Sequence, residues 1–416
     1  MRTLNAITIS IGDELLSGKT IDSNNAYISQ HLADIGINVS KKLIIGDVNQ
    51  NIKKALKWSL SEADVVTITG GLGPTHDDIT KTALCEYFGV DLTTYPEILA
   101  QIKERFAKRG FKFAKSNISQ AEYPANAKLL HNSVGTAQGM HFLIQGTHLF
   151  VMPGVPAEMR AITKDHIIPM LSDLTGAMTE HVDIHCNGVP ESKLFEVTKP
   201  LLDEYPGSKV AYLPKHFIVT IRVSFDSKFK GEHAKILDEV YSRIQQLLPE
   251  NIYGRDRDSL ESVVGELLIS KGATLTTAES CTGGLIASLI TDISGSSEYF
   301  QTGYVTYSNE TKMSLLNVQE STLVAQGAVS EETVGEMLTG AIKRSGSDYA
   351  VAVSGVAGPT GGTKEKPVGT VYIGVANTEN QVIKRFQFGP NRKMNKTMSA
   401  NAALNMMRRF LLGEIV

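Results

Sequence analysis

The 416-residue chain has few cysteines and no block of basic residues. Cys85, Cys186 and Cys281 stand far apart, with neither metal-site spacing nor a disulfide framework, which suits a reducing compartment. With 41 Lys and Arg against 44 Asp and Glu, the formal charge is −3, so a nonspecific nucleic-acid surface is not indicated. No apolar run approaches a membrane span, and no basic start with an apolar core suggests a signal peptide. A cytoplasmic protein is the expectation. The G-x-G-x-x-G nucleotide fingerprint is missing, which argues against an NAD site. The length exceeds one ordinary core, so two or three domains are expected.

What is present begins with alternating strands and helices. Ala6 to Ile11, Val39 to Ile45 and Asp64 to Thr69 read as strands. Helical rhythms over Asn25 to Ile35, Asn49 to Leu60 and the segment ending at Phe88 separate or follow them. This order predicts a parallel sheet covered on both faces, with ligands at the carboxyl ends of its strands. Two glycine turns fall at that edge, Gly12–Gly18 and Gly70–Asp78. In the second, Gly70, Gly71 and Gly73 let backbone N–H groups approach a phosphate, with Thr75 beside them. Asp77 and Asp78 can hold a hard divalent cation such as magnesium, with Glu14 and Asp13 completing the shell. A tight turn with a solvated acidic helix start explains the same residues equally well. Asn132–Gly139 and Pro153–Met159 are candidate further walls or structural turns.

From about 180 to 252 the pattern changes to a small α+β unit, with helices over Glu191 to Leu202 and Glu232 to Leu247 and no evident catalytic cluster. The last domain begins near Asp258 and is again α/β. Its apolar run Ala273 to Leu275 leads into Thr276–Gly284, read as a strand-to-helix turn with Ser280 at the bend. A second polar cluster, Tyr304 to Lys312, follows. Ser308 or Asn309 as N-cap places Lys312 in the first turn of a helix ending near Leu316, where the helix dipole disfavours an ammonium. Ser280 as nucleophile with Lys312 as base is the chemistry this pair suggests, since serine needs a proton acceptor and no His-Asp pair is evident. Two other readings stay open: Ser280 as a simple N-cap, and Cys281 as the nucleophile. Backbone N–H groups from Cys281 through Thr282, Gly283 and Gly284 are candidates for an oxyanion site. The glycine-rich stretch Ser354, Gly355, Gly358, Gly361 and Gly362 reads as a loop suited to a substrate phosphate, with Arg392 as countercharge.

Over nearly its full length the chain resembles the competence-damage-inducible protein A (CinA) family. Gly12–Gly18 and Gly70–Asp78 are similar to that family's molybdopterin-binding-like domain, and the middle unit to its KH-type domain. Ala278–Gly284, Tyr307 with Lys312, and Ser354–Gly362 resemble the motifs of nicotinamide-nucleotide amidases. The resemblance implies an α/β protein of two parallel-sheet domains, 1–172 and 258–416, joined by a KH-type unit over 180–252. It implies a hydrolase that deamidates nicotinamide mononucleotide through Ser280, Tyr307 and Lys312 without a cofactor. For the first domain it implies metal-dependent ADP-ribose pyrophosphatase activity. A homodimer is expected, and no membrane partner. The rival expectation is a nonenzymatic nucleotide- or pterin-binding regulator linked to competence or DNA damage. The missing G-x-x-G between Val182 and Leu248 argues against RNA as a partner.

Overall fold

The computed structural model describes residues 4–415 except 76, 109, 176–177, 216 and 229–230. His76 of the second glycine turn, and His216 at the junction the sequence suggests between strands over Val210 to Leu213 and Phe217 to Phe225, thus lie outside the described residues. The chain divides into two compact units, Met1–Glu180 with Phe225–His233, and His181–Ser224 with Ala234–Val416.

The first unit is built on a six-stranded sheet: β1 (Asn5–Ile11), β2 (Asn38–Ile45), β3 (Val65–Thr69), β4 (Lys128–Leu130), β5 (Gly139–Ile144) and β6 (Thr147–Met152), in the order β2-β1-β3-β6-β5-β4. The first four in that order run parallel, and β5 and β4 add an antiparallel edge. The expected parallel sheet is present, with an antiparallel extension at one edge. Side chains alternate between faces, as the period of two requires. Ala6, Val65 and Phe150 pack on α1 (Ser23–Asp34) through Ile28 and Leu32. Ile7, Ile9, Val66 and Ile68 pack on α2 (Asn49–Glu62) and α3 (Thr80–Phe88). Three neighbouring parallel strands thus end together, at Gly12, Gly70 and Pro153. A Cβ on Gly70 would lie 2.3 Å from the Ile11 carbonyl oxygen, and its φ is 108°, so this close approach of strand ends requires glycine.

Most of the middle module belongs to the second unit: β7 (Met178–Asn187), α4 (Glu191–Leu202), β8 (Lys209–Lys215), β9 (Ile218–Ser227), α5 (Ala234–Leu247) and β10 (Ile252–Arg255), with sheet order β8-β9-β7-β10. After it come α6 (Leu260–Lys271), β11 (Leu275–Glu279), α7 (Leu285–Thr291), β12 (Phe300–Val305), α8 (Asn309–Leu316), α9 (Glu331–Ser345), β13 (Tyr349–Gly355), β14 (Thr370–Asn377), β15 (Gln381–Gln387) and α10 (Arg392–Leu411). The order is β12-β11-β13-β14-β15, parallel across the first three and antiparallel beyond. Alternation again covers both faces. Val351 and Val353 pack on the side of α6 and α10, Ala350 and Ala352 on the side of α9. Two sequence expectations are corrected. The strand before Ser280 starts at Leu275 and runs to Glu279, so half of the supposed turn is buried ladder. Strand β12 was not foreseen, because Gln301, Thr302 and Tyr304 give it a polar reading. Among the described residues no helix is long and apolar enough to cross a membrane.

The middle module and the last domain share packing. Tyr253 of β10 belongs to the core of α6 and α10. Phe217 stands edge-on to Phe388 at 6.2 Å, and Arg408 donates to the Glu250 carbonyl at 2.8 Å. A fragment starting at Asp258 keeps the last sheet but loses these partners. It is expected to fold and to melt about 5 °C or more below a fragment starting at His181, as loss of a buried aromatic and of a hydrogen bond to a charged group implies. Calorimetry of the two fragments checks this; equal melting temperatures would show that the contacts contribute nothing.

Candidate active site

Parallel strands β12, β11 and β13 deliver three segments side by side at their carboxyl ends: Thr306–Tyr307, Ser280–Gly284 and the stretch after Gly355. The Ser280 N–H donates to the Val353 carbonyl at 2.9 Å, which extends the ladder by one bond. The chain then turns sharply through Gly283 (φ 62°) and Gly284 (φ 90°) into α7. This left-handed pair is a conformation that L side chains rarely adopt.

Lys312 comes from α8, whose N-cap is Ser308, bonded reciprocally with Thr311. Its side chain is 1% exposed, and Nζ lies 3.1 Å from Ser280 Oγ while donating to the Thr306 carbonyl at 2.8 Å. Burial pulls its pKa down to about 8. Desolvation is the largest cause of this shift, beside the place in the first turn of α8 that the sequence predicts. Cys281 is buried, and burial pushes its thiol up to about 12, so a thiolate nucleophile there is disfavoured.

The Tyr307 ring is exposed and its hydroxyl accepts from Arg392 Nη2 at 2.8 Å; no described hydrogen bond joins it to Ser280 or Lys312. Arg392 Nη1 also donates to the Gly358 carbonyl at 2.9 Å, so it ties β12's end to the glycine loop. Ser354 and Gly355 are strand residues, and Ser354 Oγ donates to the Ala328 carbonyl at 2.5 Å. The loop proper therefore starts at Val356 and keeps Gly358, Gly361 and Gly362. In the turn, the Gly283 N–H closes on the Ser280 carbonyl. Glu279, buried and unforeseen, accepts from Ile286 and Ala287 N–H at 3.0 and 2.9 Å and so occupies the start of α7. That leaves the N–H groups of Cys281, Thr282 and Gly284 for an oxyanion. Lys396 was also unforeseen: a Cβ on Gly283 would lie 3.5 Å from its Nζ. Its one sequence signal is its place one helical turn after Arg392.

In the first unit the converging strand ends enclose a pocket of about 430 Å³, lined among others by Glu14, Asp77, Asp78, Gly70, Gly71 and Gly73. Pro153 and Glu158 of one expected further wall, Thr136 of the other, and the unforeseen Asp47 and Gln120 also line it. Thr75 does not; it holds Asp78 Oδ2 through its N–H at 2.9 Å and its hydroxyl at 2.5 Å. Asp13 is likewise off the wall, and its N–H donates to Asp47 at 3.0 Å. The Asp47 carboxyl is pushed up by burial and by the charges of Asp13, Glu14 and Asp77. Such a cluster of hard donors suits a divalent cation in chemistry. Among the described residues, however, no three His, Cys, Asp or Glu side chains converge as ligands.

Three family models match the chain in succession: a probable molybdopterin binding domain over 7–173, the damage-inducible protein CinA KH domain over 182–254, and the CinA C-terminal domain over 257–411. A CinA-like protein of Chloroherpeton thalassium is 42% identical over 97% of this chain and 98% of its own. The chain belongs to the CinA family. A CinA-like protein of Endomicrobium trichonymphae is 40% identical over 98% of both chains. A solved competence damage-inducible protein A from Klebsiella pneumoniae is 37% identical, with a TM-score of 0.36, covering 37% of this chain and 95% of its own. Family membership accords with the three-part organisation, in which a KH-type unit lies between two mixed α/β domains.

Proposed function

We propose that the last domain is an amidase that converts nicotinamide mononucleotide to nicotinate mononucleotide and ammonia. One observation carries this reading: a buried lysine amine 3.1 Å from the hydroxyl of a serine on a strand-to-helix bend. In its neutral form Lys312 donates to the Thr306 carbonyl, which leaves its lone pair to take the Ser280 proton. Ser280 Oγ then attacks the carboxamide carbon, and backbone N–H groups of the turn stabilise the oxyanion. Lys312 returns the proton to the departing ammonia, leaving an acyl ester on Ser280. Water, deprotonated by Lys312, hydrolyses the ester and frees the carboxylate. Tyr307, bound to Arg392, shapes the substrate side of the site rather than carrying this proton. The setting we infer is the cytoplasm, which three unpaired cysteines suit.

Because the base must be neutral, kcat/KM for ammonia release is expected to rise with pH and level off above about 8, the value burial gives Lys312. Ammonia release by the purified full chain between about pH 6.5 and 9.5 tests this. A flat or falling profile, or no ammonia, would sink the reading.

For the first domain we infer hydrolysis of ADP-ribose at its pyrophosphate. Glu14, Asp77 and Asp78 line one pocket and are the carboxylates that would meet a hard divalent cation, which would neutralise charge at the phosphates; as they stand they do not converge as ligands, so they would have to draw together to hold it. The glycine turn at Gly70, Gly71 and Gly73 offers close backbone approach, and Thr75 fixes Asp78 from behind.

A further inference from the structure

Four described residues other than glycine hold a positive φ: Gln145, Phe217, Asp256 and Asn317. Gln145 lies in the tight turn between β5 and β6, and Asn317 is the C-cap of α8, both ordinary places for this conformation. Asp256 is a short polar residue whose N–H is bonded to the Asp183 carbonyl at 2.8 Å. Phe217, at φ 73°, is different. For a bulky residue this conformation is an outlier that persists only where the surroundings hold it. It stands at the turn between β8 and β9, and its own module gives it little: the Gly188 N–H reaches its carbonyl at 3.5 Å. The ring is 42% exposed, and its aromatic partner lies in the last domain: Phe388, edge-on at 6.2 Å and 82°. The next residue, Ile218, packs against the core of α6 and α10. The tip of the β8–β9 hairpin thus bears on the last domain at two successive residues.

What Phe217 touches is tied to the glycine loop. Phe388 connects β15 to α10, and its N–H donates to the Gly369 carbonyl at 2.8 Å. Gln387 Nε2 donates to the carbonyls of Val368 and Phe388 at 2.9 and 3.1 Å. The buried Asn395 of α10 donates through Nδ2 to the Gly389 carbonyl at 2.8 Å and to the Ala357 carbonyl at 2.9 Å. A Cβ on Gly369 would lie 2.3 Å from the Phe388 carbonyl oxygen, and one on Gly358 3.2 Å from that of Pro390, so these backbones touch without slack. Arg392 follows two residues after Pro390 and holds the Gly358 carbonyl and the Tyr307 hydroxyl. Ser280 and Lys312 come from the end of β11 and from α8, and take no part in these bonds. We propose that Phe217 is a positioning residue: the hairpin of the middle module presses it on Phe388 and so fixes the loop 356–362 and Arg392 in their substrate-ready places. The middle module then sets how well the last domain binds its substrate and leaves the proton transfer alone. This rests on the reading of the last domain as an amidase. Close-packed contacts pass such a displacement on, because they do not deform freely.

The test uses the full chain and three variants, Phe217→Gly, Phe217→Ala and Phe217→Tyr, with nicotinamide mononucleotide as substrate and amide hydrogen exchange as a readout that needs no activity. Glycine takes φ 73° freely, so Phe217→Gly removes the ring and relaxes the turn at once, and should melt no lower than Phe217→Ala. In both we expect KM to rise about threefold to tenfold, the worth of one aromatic pair, with kcat changed by less than about twofold. Phe217→Tyr keeps the ring and should keep the wild-type KM. Exchange should quicken by a similar factor in peptides covering 356–369 and 388–392, and stay unchanged in those covering 276–284 and 309–316. Unchanged KM together with unchanged exchange in Phe217→Gly overturns the proposal. So does faster exchange throughout the last domain, or a fall in kcat as large as the rise in KM, either of which would mark Phe217 as a general support of the fold. If the wild type releases no ammonia but exchange in the loop still depends on the ring, the clamp stands and the amidase reading falls.

Discussion

Ser280→Ala is expected to lower ammonia release by a factor on the order of ten thousand or more while leaving mononucleotide binding nearly intact, because the lost oxygen reacts rather than binds. Lys312→Met should fall as far. The two side chains form one proton-transfer unit at 3.1 Å, so the double variant should be little worse than either single one. Lys312→Arg should fail as well, since a guanidinium stays charged and takes no proton. Cys281→Ala is the control: its thiol is buried with its pKa pushed up to about 12, and its removal should leave most of the rate. Steady-state ammonia assays with the five variants decide the matter. A wild-type rate in Ser280→Ala, or a dead Cys281→Ala, would move the nucleophile one residue along the chain.

Asp78→Asn is expected to reduce ADP-ribose hydrolysis on the order of a hundredfold, the size of loss seen when one preorganised electrostatic group is taken from a site. Deamidation should persist, because Asp78 and Ser280 belong to separate compact units. Asparagine keeps the size and one acceptor oxygen, so the Thr75 contacts at 2.9 and 2.5 Å can survive and the fold should hold. Chelation of divalent cations should abolish the same activity in the wild type. Hydrolysis that continues undiminished in chelator would remove the metal from the account, in line with the absence of three converging ligands among the described residues.

Much of the architecture was legible because it depends on local rules. The period-two and helical rhythms gave the strands and helices, and the glycines gave the sharp turns at strand ends. The place of Lys312 in α8 followed from Ser308, whose capping preference acts over three residues. Where polar residues lie on a half-exposed edge strand, as in Phe300–Val305, the same rules gave no strand. The antiparallel pairing in both sheets was not legible, even where the strands Val368 to Ala376 and Val382 to Phe388 were, since pairing direction is set by connections and not by composition.

The amino-acid sequence by itself determined which chemistry was available: a serine at a bend, a lysine on a capped helix, acids and glycines at strand ends. Only the tertiary structure decided how those groups behave. Burial pulls the Lys312 amine down to about 8 and pushes the Cys281 thiol up to about 12. Tyr307 faces Arg392, and Ser354 is held in its strand. Glu279 caps α7, and Lys396 reaches the Gly283 backbone from the last helix. Desolvation and contacts between distant segments depend on which strands become neighbours, so no window of sequence around any one of these residues contains them.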